Sequence, residues 1–417
     1  MKKILVLLMV IAPLFLLASC EEVDDEKPEL YILSDFGREV VEKELYRTEI
    51  FDAFEEEHDV TIKFETLAQA EDTFNKIDTE QKAENYTVDL LISHFGTMAD
   101  YIGEGYMQEV DDLEDAMDDR TFLSTFDGST KSDGNRYFFP INSDVYLSYA
   151  RTEAFETLPD GLTEEDILDG NYTWEDFIDW AAEIGEGSVH VKGETESMLL
   201  YEIGGMALSN GGAFPVMNDE GNIKAWQDII AMKDYIAEES LTTNVSNELM
   251  TSETSGVKLA FELMAPLATA VSQSPAAFEI FPGPTGTSGK AGSIIGGHGI
   301  GIVNGAPNQE LAEEFIDWFT APEQIVHAAL GTIPTIEEAT EELGNDPEDE
   351  VIRQGLATVA NANVEGLQMI SSYTSWAEVK GVYDDVFTGI MDDSITEENL
   401  EDFLDDQQDA LEALEAS

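Results

Sequence analysis

Few side chains in this 417-residue chain are placed to do chemistry. Five histidines stand alone at positions 58, 94, 190, 298 and 327, and none falls into an HExxH or similar ligand spacing. The single cysteine, Cys20, can build neither a zinc cluster nor an intrachain disulfide. There is no GxxxxGK[ST] phosphate loop and no GxSxG nucleophile elbow. "GGHGIGIVNG" (296–305) approaches a dinucleotide loop but lacks the third glycine at its required place. Carboxylates are so abundant, 88 Asp and Glu against 20 Lys and Arg, that position alone singles out no acid–base pair. Nothing here nominates an enzyme, a cofactor or a metal.

The charge balance is itself informative. A net of −68 excludes nucleic acid as a natural partner, because no basic patch can form. High net charge favours disorder, but 43% apolar residues in regular periodic runs argue for a folded chain. The composition instead fits a protein built for concentrated salt. At ~1 M the Debye length falls to ~3 Å and self-repulsion is screened.

The N-terminus carries an address. Lys2 and Lys3 precede an apolar stretch, Ile4 to Leu17, that ends in Ala18-Ser19-Cys20. This stretch is shorter than the roughly 20 residues a bilayer-spanning helix needs, so residues 1–19 read as a secretory signal. Leu17-Ala18-Ser19-Cys20 resembles the lipobox of bacterial lipoproteins, which implies cleavage before Cys20 and its acylation. More than one acyl chain gives stable anchoring. Residues 20–28 then form an acidic tether, and the remainder lies outside the cytoplasm, held to the membrane by lipid alone.

The elements that follow suggest an α/β protein. "ELYILS" (29–34), "VTIKFE" (60–65) and "VDLLIS" (88–93) read as strands, separated by helical segments at 38–58 and 69–83. Strand–helix alternation of this kind predicts a largely parallel sheet. Past residue 140 the pattern is helix-rich, at 173–184, 197–212 and 223–239, with a strand at 256–263. Thr173 followed by Asp176 predicts a capping box. Residues 277–309 break the rhythm with a Pro/Gly loop and a Gly-rich strand pair, and helices close the chain at 310–320, 347–362, 375–391 and 396–414.

Several segments, in order, resemble the extracellular solute-binding proteins of ABC importers, the family that includes maltose- and other sugar-binding proteins. They are "YILSDFG", "VDLLISHF", "GEGYMQEVDDL", "RYFFPINSDVYLSYART", "SNGGAFPVMNDEGNIKAWQDI", "SGVKLAFELMAPL" and "NGAPNQELAEEFIDWFTAPEQ". Two departures stand out: Ala150 replaces a usual asparagine, and Met264-Ala265 occupies the neighbourhood of a usual tryptophan. The resemblance implies a two-lobed periplasmic-binding-protein fold with ligand in the cleft. Residues 29–140 and 282–320 would form one lobe, and 141–281 and 321–417 the other. It also implies a monomer that captures a sugar or oligosaccharide by hinge closure and hands it to a membrane permease. A different solute such as a betaine, or a surface sensor or adhesin without transport, remains an alternative. Iron is disfavoured because there is no Tyr-Tyr pair.

Candidate contacts follow from the matching positions. Asp35 and Phe36 end the first strand, where ligands gather in open α/β sheets, although Asp35 equally suits a helix cap. Ser93 and His94 end the "DLLI" strand, and Asn142 and Asp144 sit on the hinge-crossing segment. Tyr201, ten residues before Gly211-Gly212, matches a stacking aromatic. Met264 stands at the tryptophan position, His298 lies in the Gly-rich strand, and Trp376 opens a late helix.

Overall fold

The computed structural model describes residues 27–37, 40–67, 70–195, 198–244, 246–252, 254–366 and 376–415. Cys20 lies outside them, as does the side chain of Trp376, whose backbone opens the helix Trp376–Met391. No helix among the described residues is long and apolar enough to cross a membrane.

The strands gather into two main sheets, each covered by helices, so the chain forms two α/β lobes. The larger sheet runs in the order Ile333–Pro334, Phe139–Asp144, Gly292–Ile302, Leu90–His94, Glu29–Ser34, Thr61–Thr66. Its three N-terminal strands pair in parallel, as their near-continuous apolar runs require of strands covered on both faces. Their core includes Leu30, Ile32, Leu90 and Ile92, closed over by Phe51, Phe54, Phe315 and Phe319. The smaller sheet has the order Phe278–Phe281, Tyr146–Arg151, Leu259–Leu263, Val189–His190. Trp180, Trp226 and Phe281 fill the core beside it.

Among the described residues, three crossings join the lobes. Val145 alone separates Phe139–Asp144 in the larger sheet from Tyr146–Arg151 in the smaller. Gly292–Ile302 is one eleven-residue strand, where the sequence suggested a strand pair. Its first four residues pair with Asn363–Gly366, and its later ones pair with Phe139–Asp144 and Leu90–His94. The third crossing runs from Ile333–Pro334 into the helix Pro347–Asn361, which packs on the helix Met264–Gln273. The larger sheet thus keeps the chain to Asp144 and takes in Ile333–Pro334, so the crossings fall at Val145, within Gly292–Ile302 and after Pro334, rather than at 140, 282 and 320.

The helix Leu199–Ser209 is buried along its whole length, with apolar residues on every side and Glu202 buried among them. It lies against the Gly292 end of the long strand at backbone contact. A Cβ on Gly292 would stand 2.1 Å from the Gly205 carbonyl oxygen, so no larger residue fits there.

Candidate functional site

A cavity of about 580 Å³ opens between the two sheets. The larger-sheet side contributes Asp35, Phe36, His94, Asn142, His298 and Thr332; the other side contributes Tyr146, Met198, Tyr201, Leu263 and Ala265, with Asp144 at the crossing. Strand register brings the first group together. His298 lies opposite His94 on one side and Asn142 on the other, and Gly296 lies opposite Asp144. The register slips between His298 and Gly299, a bulge of the kind that re-aims a side chain beside a site. Gly297 permits the close passage, since a Cβ there would come within 2.2 Å of the Asn142 carbonyl oxygen.

Hydrogen bonds fix the polar groups. Ser93 Oγ donates to Asp35 Oδ2 at 2.9 Å, and the His94 backbone N–H reaches the same oxygen at 3.4 Å. His94 caps the helix Phe95–Gly103, its Nδ1 accepting from Gly96 N at 3.1 Å, so its proton sits on Nε2. Burial pushes the His94 pKa down to about 4, which keeps the ring neutral at physiological pH. Asn142 Oδ1 accepts from His298 N at 2.8 Å and from His298 Nδ1 at 3.1 Å, orienting both side chains. The Phe36 and His298 rings stack at 4.1 Å between centroids, and His94 meets His298 edge-on at 5.3 Å. Together they make an aromatic wall facing Tyr146 and Tyr201.

Asp144 sits where both lobes crowd it. Burial pushes its pKa up to about 7, against the pull of hydrogen bonds from the Met264 and Val145 backbone N–H groups. Glu262 raises it further, and Lys192 works against that rise. The unfolded carboxyl ionises near 3.9, so between about 4 and 7 the folded state binds more protons and stability falls as pH rises. His94, held near 4, acts in the opposite direction between about 4 and 6.5. Asp144→Asn should therefore gain on the unsubstituted protein as pH rises from 5 to 8, by on the order of 1–2 kcal/mol after solvent screening. Urea unfolding at several pH values checks this; parallel stability curves would refute it.

Seven of the sequence candidates line the cavity: Asp35, Phe36, His94, Asn142, Asp144, Tyr201 and His298. Ser93 is fully buried and acts on Asp35 from behind, because neighbours on a strand face opposite ways. Met264 is also fully buried. Its side chain points at Gly355, and only its backbone N–H serves the site, donating to Asp144 Oδ1 at 2.9 Å. Leu263 and Ala265 line the cavity in its place. Sequence reasoning missed Tyr146, two residues beyond Asp144 in the quoted crossing segment, and Met198, Ile294, Leu330 and Thr332, which carry no distinguishing signal.

The cavity offers aromatic faces, amide and carboxyl groups, and no lysine or arginine among the described residues that line it. No group of three or more His, Cys, Asp or Glu among the described residues is placed to hold a metal. A model of bacterial extracellular solute-binding proteins matches residues 49–353, nearly three-quarters of the chain. The chain belongs to that family. Family members bind a solute without chemical turnover. Among solved structures, this solute-binding protein is similar to the GacH receptor of Streptomyces glaucescens, solved unliganded and with acarbose. That likeness has 17% identity and a TM-score of 0.69, over 93% of this chain and 100% of that one. It is similar also to a cyclic alpha-maltosyl-1,6-maltose binding protein from Arthrobacter globiformis, at 15% identity and TM-score 0.70, over 93% and 98% of the two chains. UgpB from Mycobacterium tuberculosis, in complex with glycerophosphocholine, matches at 15% identity and TM-score 0.67, again over 93% and 98%. At such identities these likenesses speak to the fold. No curated protein sequence matches.

Proposed function

We propose that this solute-binding protein is the capture component of an ABC importer, holding a sugar or oligosaccharide in its cleft for delivery to a membrane permease. The observation that carries the reading is the meeting of the stacked Phe36–His298 pair with Asp35, Asn142 and Asp144 in one cavity, with no lysine or arginine among its described lining residues. Aromatic faces suit the C–H faces of sugar rings, and carboxyl and amide groups suit their hydroxyls. Acarbose and the cyclic maltosaccharide named with two of its structural relatives lend support. Solute contacts are assigned to Asp35, Phe36, His94, Asn142, Asp144, Tyr146, Tyr201 and His298. Trp376 is assigned by resemblance alone. The interlobe crossings serve as the hinge, and solute binding supplies the free energy that favours closure. The chain works as a monomer tethered through lipid on Cys20, and an unmodified Cys20 in mass spectrometry of the native N-terminus would remove the tether.

A cationic solute such as a betaine is the second reading, favoured by Asp35, Asp144 and Glu42 facing the cavity without a lysine or arginine among its described lining residues. Thermal unfolding in molar salt, with a broad panel of sugars, polyols and betaines, separates the two. A solute at 100 times its Kd should add about 2.7 kcal/mol of stability. A response to at least one sugar is expected. A response to betaines with none to any sugar would overturn the carbohydrate reading.

A further inference from the structure

Behind Tyr146 and Tyr201 lies a second, smaller space of about 30 Å³. Both tyrosines line it and the main cavity, so they form the partition between the two. Its other walls are mostly apolar, with Trp174, Ile229 and Phe261 among them. Two polar groups break that surface. Glu202 is 6% exposed and Tyr146 is 9% exposed, yet Glu202 Oε1 and the Tyr146 hydroxyl have no hydrogen-bond partner among the described residues. The other Glu202 oxygen is engaged, accepting from Lys192 N at 3.1 Å. Leaving buried polar atoms unsatisfied costs roughly 1–3 kcal/mol each, so a pair of them beside a ligand cleft calls for a partner.

We propose that this space is a subsite of the cleft that receives the exocyclic hydroxymethyl arm of a hexose ring, its hydroxyl hydrogen-bonded to Glu202 and Tyr146. The proposal rests on the carbohydrate reading and narrows it. Size points the same way. A water-sized group needs about 10–15 Å³, so the space admits two heavy atoms, the carbon and oxygen of a CH₂–OH group. The three methyls of a betaine head do not fit. Charge agrees as well, because burial pushes the Glu202 carboxyl up to about 8. At pH 7 it is mostly protonated, able both to donate to and to accept from an uncharged hydroxyl.

Isothermal titration in molar salt tests this with glucose against xylose, galactose against L-arabinose, and cellobiose against xylobiose. Members of each pair differ only in hydroxymethyl arms, one on each ring. In any pair that binds, the hexose is expected to be held at least about tenfold tighter. Tyr146→Phe and Glu202→Met should each cut that ratio to about threefold or less, whereas Glu202→Gln, which keeps a polar end, should retain it. Thermal unfolding establishes that each variant is folded. Equal affinities within the wild-type pairs, or a ratio that survives both substitutions, overturn the subsite and leave the carbohydrate reading standing. Absence of any sugar response in the wider panel overturns both.

Discussion

Lys192→Met is expected to destabilise the protein by about 3–5 kcal/mol, the range for removing one partner of a buried ion pair. Lys192 Nζ lies 2.5 Å from Glu262 Oε1, with side-chain exposures of 5% and 1%. Nζ also donates to the Asn244 carbonyl at 2.8 Å. Glu262 is held by donation from Ser246 Oγ and from the Leu263 backbone N–H. Methionine keeps most of the lysine stem but strands the carboxylate in a site that water does not reach. The loss therefore comes from the charge left behind, and a second substitution that removes it should restore much of the stability. Lys192→Met with Glu262→Gln, which preserves an acceptor for Ser246, is expected to recover at least half. Urea unfolding in molar salt measures both variants; a single variant within about 1 kcal/mol of the unsubstituted protein would contradict the account. The pair matters beyond stability, since Lys192 and Glu262 pull the Asp144 carboxyl in opposite directions at the floor of the cleft.

Lowering salt is expected to unfold the protein altogether. With 88 acidic against 20 basic side chains, most surface carboxylates have no cation to pair with. At ~0.05 M salt the Debye length exceeds ~10 Å, so these charges repel across the surface; at ~3 M it shrinks below ~3 Å and the repulsion is screened. Circular dichroism between those limits should show secondary structure and cooperativity rising with salt. Equal stability at both ends would sink the salt-adaptation proposal.

Much of this fold is legible in the sequence because local rules and tertiary packing agree. "ELYILS" becomes the strand Glu29–Ser34. The Thr173–Asp176 capping box forms with both of its hydrogen bonds. What escapes is governed by register. Whether Ser93 or His94 faces the cleft turns on a single step along a strand, and Met264 misses the cleft for the same kind of reason, its two neighbours facing it instead. The bulge at His298 and the backbone contact of Gly292 with Gly205 depend on strands and helices far apart in the chain. The π-helical turn Tyr46–Phe51, inside a segment with helical spacing, leaves no mark in the apolar pattern. The Glu202–Tyr146 pair was equally invisible, because a glutamate in so acidic a chain attracts no notice until its burial is known.

The central claim is that the cavity between the two sheets holds the solute. A crystal structure with the sugar that gives the largest thermal shift tests it most directly. The account predicts that sugar lies between the Phe36–His298 pair and Tyr201, with its hydroxyls on Asp35, Asn142 and Asp144. A sugar ordered elsewhere on the molecule, with this cavity left to solvent, would contradict it.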